Sequence, residues 1–168
     1  KEYARVVLKT KLATPDTIDR TAYRIVTEIK DAEGAVVASA EDRLSIFDNS
    51  LFEQQLAVAG PELWSVENPY LYTAVSRVYE GERLIDEYAT RFGIRTLEIK
   101  PYEGFFLNGE VTKFKGVCNH HDLGPLGAAV NDAAIRRQIR ILKDMGCNAI
   151  RTSHNMPAPE LVEACDEM

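Results

Sequence analysis

Two short runs carry most of the side chains able to do chemistry. Lys115-Gly116-Val117-Cys118-Asn119-His120-His121-Asp122 brings a thiol, two imidazoles and a carboxylate together after a short apolar stretch. Asn148-Ala149-Ile150-Arg151-Thr152-Ser153-His154-Asn155-Met156-Pro157 places an arginine and a histidine just past another such stretch, in a turn closed by proline. Histidine donates and accepts hydrogen bonds from a rigid ring, which suits a ligand rich in hydroxyls. Arginine beside a carboxylate holds it ionised and oriented. A zinc site built on Cys118, His120 and His121 is the competing chemistry. Its spacing argues against it, because no CxxC or HxxxH pair is present and consecutive histidines on a strand point apart. The plain structural alternatives are a solvated loop for the histidines and an ion-pair role for Arg151.

The elements that must position these runs change character near residue 97. Upstream, the pattern is strands and turns. Residues 2–12 alternate, with Val6 and Leu8 on one face. Tyr23, Ile25, Thr27 and Ile29 line one face of a second strand, with Arg24, Glu28 and Lys30 on the other. Asp31-Ala32-Glu33-Gly34 reads as a hairpin turn into Ala35-Val36-Val37-Ala38. Phe52, Leu56 and Val58 suggest a further strand, and Leu71, Thr73, Val75 and Tyr79 another. Glu80-Gly81-Glu82 then turns into the strand Leu84-Ile85-Asp86-Glu87-Tyr88. About seven short strands with one half-buried face each predict an antiparallel sandwich. A proline-bounded loop from Pro61 to Tyr72 is expected to clip Trp64 against that sheet, largely buried.

Downstream, Asn108-Gly109 between apolar runs marks a hairpin. Residues 114–119 and 147–152 read as buried parallel strands. Between them Asn131 is a good helix N-cap with Asp132 in the first turn, and Gly146 is a natural stop. Ile135, Ile139, Leu142 and Met145 form one stripe of that helix. Pro157-Ala158-Pro159-Glu160 opens a second helix with Leu161, Ala164, Cys165 and Met168 on its inner face. Strand, helix, strand, helix cannot close a parallel barrel and reads as the opening of a larger α/β domain.

In this order and spacing, the two runs resemble glycoside hydrolase family 2, which holds β-galactosidases, β-glucuronidases and β-mannosidases. Pro61-Glu62-Leu63-Trp64-Ser65-Val66-Glu67-Asn68-Pro69-Tyr70-Leu71-Tyr72 and Thr90-Arg91-Phe92-Gly93-Ile94-Arg95 match the family's loop and sandwich exit. The resemblance implies an immunoglobulin-like β-sandwich over residues 1–97. It implies the start of a (β/α)8 catalytic barrel over 98–168, truncated after its second helix. Barrel chemistry sits at the C-terminal ends of the strands. His120 and His154 would contact hydroxyls of the sugar being cleaved, and Arg151 would brace the nucleophilic glutamate. His121 and Asp122 either join them or order their loop.

Retaining glycosidases need two carboxyls about 5 Å apart, and the family takes both glutamates from its fourth and seventh barrel strands. Asp122, Glu160, Glu163 and Asp166 cannot be matched to either, so no catalytic acid is expected within the chain, nor any metal or cofactor. Two departures bear on substrate. His120-His121-Asp122 replaces the His-Glu-Asp of glucuronidase-like relatives, and His154-Asn155-Met156-Pro157 is one residue longer than the tyrosine-proline form. A β-galactosidase-like parent is favoured, with a β-glucuronidase or β-mannosidase parent and a non-catalytic glycan- or protein-binding sandwich as alternatives.

Bulk properties are compatible and not specific. The net charge of −6 argues against a nucleic-acid partner. No apolar run approaches the roughly 18 residues of a membrane helix, and no signal peptide is visible at Lys1. Cys118, Cys147 and Cys165 are odd in number and confined to the last third, so free and mostly buried thiols are expected. An incomplete barrel should leave apolar surface bare, and self-association of the isolated chain is expected to cover it.

Overall fold

The structure is a computed structural model that describes residues 2–13, 22–43 and 51–168. The chain divides into two compact units, one of Lys1–Glu62 and Leu71–Ile94, the other of Leu63–Tyr70 and Arg95–Met168.

The first unit is antiparallel β throughout its described sheets. Strands β1 (Tyr3–Lys11) and β4 (Leu51–Ala59) pair with each other, from Tyr3 opposite Ala59 to Lys11 opposite Leu51. Strands β2 (Tyr23–Lys30), β3 (Val36–Arg43), β5 (Tyr72–Glu80) and β6 (Arg83–Phe92) form a second sheet in the order β3-β2-β5-β6. That makes six strands among the described residues, against about seven expected.

Alternation decides which side chains go inside. Phe52, Gln54, Leu56 and Val58 of β4 are buried, while the residues between them are exposed. Tyr23, Ile25, Phe52 and Val78 gather into one buried cluster, with Leu12 packed against it. The polar residues on the inner faces bind one another. Thr27 Oγ1 donates to Gln54 Oε1 at 2.5 Å and accepts from Ser76 Oγ at 2.9 Å. The turn after β2 forms as its residues require: Gly34, at φ 86°, donates to the Asp31 carbonyl, and Asp31 Oδ1 accepts from Ala35 N at 2.7 Å.

Strand β5 lies where expected, with its inner face on the opposite parity. Tyr72, Ala74, Ser76 and Val78 face inward. Ala74 and Ser76 are too small and too polar to announce that face. On the outer side, Arg77 bridges Glu28 at 2.8 Å and Glu87 at 2.6 Å, and the Arg24 guanidinium lies 4.1 Å from the Tyr79 ring centre.

The second unit opens with a small antiparallel sheet of β7 (Leu97–Lys100), β8 (Gly104–Leu107) and β9 (Glu110–Val111). Asn108 and Gly109 both have positive φ, 54° and 87°, as the tight turn between right-twisted strands demands. Strand β7 has no counterpart in the sequence reading; Ile99 is 83% exposed and provides no buried face.

Strand β10 (Gly116–Cys118), helix α1 (Asp132–Asp144), strand β11 (Ala149–Arg151) and helix α2 (Pro159–Glu167) follow. The two strands are parallel and adjacent, with Val117 opposite Ile150. Asn131 caps α1 by accepting from Ala134 N at 2.9 Å, and Gly146 ends it at φ 86°. Ile135 and Ile139 bury against Ala164 of α2, flanked by Ile150, Leu161, Cys165 and Met168. Burial, and secondarily the Asp166 carboxylate, hold the Cys165 thiol above its usual range.

Several expectations for this unit need correction. Met145 is 68% exposed because it is the helix C-cap, where the backbone leaves the stripe. Val117 and Ile150 are only half-buried, since a two-stranded parallel sheet has neighbours on one side alone. All three cysteines are free, but Cys118 is exposed and Cys147 and Cys165 are half-buried, so none is fully buried. Trp64 belongs to the second unit and is half-buried, not largely buried. Its indole N–H donates at 2.7 Å to the Asp166 carbonyl, one of the α2 carbonyls that no helical amide can reach. Its ring takes the Arg95 guanidinium at 4.8 Å.

Candidate functional site

Strands β10 and β11 run level because three contacts fix their register. Asn148 N donates to the Lys115 carbonyl, and Lys115 N donates to Asn148 Oδ1, both at 2.8 Å. Asn148 Nδ2 reaches the Lys113 carbonyl at 2.9 Å. At the other end, Asn119 N donates to the Arg151 carbonyl at 2.8 Å. Between them, a Cβ on Gly116 would lie 2.0 Å from the Ala149 carbonyl oxygen, so only glycine permits this approach. The C-terminal strand ends therefore emerge side by side, which is where parallel α/β sheets present their chemistry.

The structure brings His120 and His154 together: their ring centres are 5.5 Å apart and nearly perpendicular, at 81°. Arg151 is level with Cys118 in the pairing register, and its Nη1 lies 3.8 Å from Cys118 Sγ. Arg151 is exposed, and its side-chain partner among the described residues is Cys118. His121 takes another direction, its Nδ1 lying 3.1 Å from Asn155 Nδ2. Asp122 Oδ1 accepts from Gly124 N at 2.8 Å and so orders the loop that follows. Among the described residues, no group of three or more histidine, cysteine or acidic side chains is placed to hold a metal ion.

The second loop owes its shape to Ser153, a non-glycine residue at φ 51°. Asn155 N closes the turn on the Thr152 carbonyl at 3.1 Å. A cavity of about 70 Å3 lies between the two loops, lined by Asn119, His120, His121, Gln138, Thr152 and Asn155 among others. Asn119 Nδ2 is buried without a hydrogen-bond partner among the described residues. The acids Glu160, Glu163 and Asp166 ride on α2 and its end, not on a strand mouth. Such an arrangement can hold and orient a polyhydroxylated ligand, and it lacks a pair of facing carboxyls.

Sequence reasoning did not assign roles to Asn148 and Asn155. Asn148 stands inside the quoted motif, and its signal is an asparagine just ahead of a strand, where a side-chain amide can replace a missing backbone partner. Asn155 gives no signal in sequence, because its contact lies across two loops.

Comparison with known proteins covers both segments. The profile of glycosyl hydrolases family 2 matches residues 1–95, and the profile of the TIM barrel domain of that family matches residues 97–168. A β-galactosidase of Bacteroides ovatus is 50% identical over 146 residues, which is 86% of this chain and 17% of that protein. A β-glucuronidase of Streptococcus agalactiae is 37% identical over 76% of this chain and 22% of its own length. A crystal structure of a glycosyl hydrolase family 2 member from Bacteroides cellulosilyticus superposes with a TM-score of 0.90 at 39% identity, covering 98% of this chain and 21% of that one. The chain thus spans about a fifth, or less, of the relatives it matches.

Proposed function

Since the chain belongs to glycoside hydrolase family 2 along both of its segments, we propose that it forms the immunoglobulin-like sandwich and the first two βα units of a retaining β-glycosidase acting on terminal β-galactosides. The sandwich is assigned to residues 1–97 and the barrel portion to 98–168. The observation that carries this reading is the edge-on contact of His120 and His154 at neighbouring parallel strand ends, with Arg151 beside them. In the reaction, the two imidazoles hold hydroxyls of the sugar being cleaved. Arg151 keeps a nucleophilic glutamate ionised. Both catalytic carboxyls come from residues outside these 168.

The test is kinetic. In the full-length enzyme, His120→Ala and His154→Ala should each cost about 2–4 kcal/mol in kcat/KM, because hydroxyl contacts tighten as the oxocarbenium ion forms. Arg151→Ala should cost as much or more. Unchanged kinetics in all three would return these residues to a structural role. The 168-residue chain alone should not hydrolyse nitrophenyl β-galactoside above background. Turnover that persists on repurification and vanishes in His154→Ala would mean that the acids lie within it.

A β-glucuronidase parent is the second reading, supported by the Streptococcus agalactiae relative. Side-by-side rates on galactoside and glucuronide decide between the two. Self-association of the isolated chain is proposed on the exposure of Val162, 47%, on the wall of an apolar hollow of about 310 Å3 in the second unit. Light scattering at micromolar concentration should find a dimer, and a clean monomer would dismiss it.

A further inference from the structure

We propose that Asn155 is a positioning residue that selects the tautomer of the His121 imidazole, placing the proton of the neutral ring on Nε2, so that His121 donates a hydrogen bond at the strand mouth. The purpose assigned to this donor rests on the glycosidase reading; the tautomer itself does not.

The chemistry follows from what each atom can do. An amide nitrogen donates and cannot accept. Asn155 Nδ2 lies 3.1 Å from His121 Nδ1, so that ring nitrogen must present its lone pair. A neutral imidazole has one proton, which then sits on Nε2 and makes the ring a donor on its far side. A ring set this way offers its free edge to an oxygen, such as a sugar hydroxyl. A freely rotating loop histidine would divide its time between donor and acceptor and so discriminate poorly.

The backbone that carries Asn155 is held in place. Its backbone N–H closes the turn on Thr152, the positive φ of Ser153 sets the direction of that turn, and Pro157 limits the backbone that follows. The contact also spans the two strand-end loops. Asn155 thereby ties the loop bearing His121 to the loop bearing His154, and the extra residue in the His154-Asn155-Met156-Pro157 run acquires a purpose. Asp122, the acid next to His121 in sequence, hydrogen-bonds to Gly124 N, and the amide of Asn155 is the partner of Nδ1.

The chain has three histidines, so ring-15N-labelled histidine gives three imidazoles to follow by long-range proton–nitrogen correlation. His121→Gln deletes and thereby assigns one of them. At alkaline pH, where the rings are neutral, His121 should show a bare Nδ1 and a protonated Nε2. Asn155→Asp places an acceptor where the donor was and should invert the pattern, with the proton moving to Nδ1. Asn155→Ala should give a mixture of both tautomers. A dispersed backbone amide spectrum checks that each variant is folded. A proton on Nδ1 in the native chain overturns the proposal, as does a His121 pattern that neither substitution changes.

In the full-length enzyme, Asn155→Ala should lower kcat/KM about three- to tenfold, mainly through KM, and should add nothing in a His121→Gln background. Additive losses would show that Asn155 acts other than through His121 and would overturn the positioning role. An enzyme that hydrolyses no β-glycoside, yet keeps Nε2–H on His121, would refute the glycosidase reading and leave the tautomer assignment intact.

Discussion

The two units use alternation and hydrogen bonding to opposite ends. In the sandwich, strands of eight to ten residues carry the order, and even the polar Thr27, Gln54 and Ser76 are buried and spent on one another. In the second unit, the strands that matter most are three residues long, and their ends carry exposed Cys118, His120, Arg151 and His154. The first unit is held by buried area. The second is held at its working end by a few backbone and amide contacts, chiefly those of Gly116, Asn119 and Asn148. The difference teaches that chemistry has been placed where packing is thinnest, because a side chain committed to a core cannot meet a ligand.

The contrast makes predictions of decreasing size. Ile25 is fully buried, and Ile25→Ala should cost the sandwich about 2–5 kcal/mol by leaving a cavity. Hydrogen exchange should show lost protection in β2 and β5 and an unchanged α1. Equal loss in α1 would mean that the two units share one cooperative core. Gly116→Ala should cost about 1–3 kcal/mol, because the new methyl collides with backbone and not with a yielding side chain. Here the amides of Asn119 and Asn148 should exchange faster while β2 keeps its protection. Unperturbed exchange at those amides would show that the short ladder tolerates a wider spacing.

The smallest effect is electrostatic. Hydrogen bonding to Arg77 holds the Glu28 carboxyl below the usual glutamate range, against the opposing effect of partial desolvation. A carboxyl whose folded pKa is depressed adds stability above its unfolded pKa and loses it as pH falls through the folded value. Arg77→Met should therefore flatten the acid limb of the sandwich's stability by under about 1 kcal/mol, since both partners are partly solvated. Denaturant midpoints measured across that limb check it, and an equally steep limb in the variant would assign the acid response elsewhere.

Most of the fold is legible in the sequence where the period is strong. The alternating β2 and β4, the Asn108-Gly109 turn and the capped α1 follow directly from residue type and spacing. Reading fails where the signal depends on something distant in sequence. The inner face of β5 is disguised by Ala74 and Ser76, whose burial depends on partners in other strands. Trp64 has an N–H that any exposed carbonyl could satisfy, and nothing near it in sequence names Asp166. The candidate site was legible as two motifs, because strand ends and their loops are local. Its cross-loop contact between His121 and Asn155 was not, since no rule of spacing links residues held together only by the fold.

The Leu63–Tyr70 segment has a consequence for modularity. The backbone leaves the first unit at Glu62, returns at Leu71 and leaves again after Ile94. A single cut near residue 95 would yield a sandwich trailing a loop without its lodging. It would also yield a barrel fragment stripped of the indole that occupies Asp166 and of the carbonyls that receive Asn108 and Lys143. Exchange of either piece between relatives, by recombination or by design, therefore succeeds only if eight residues encoded within one module travel with the other.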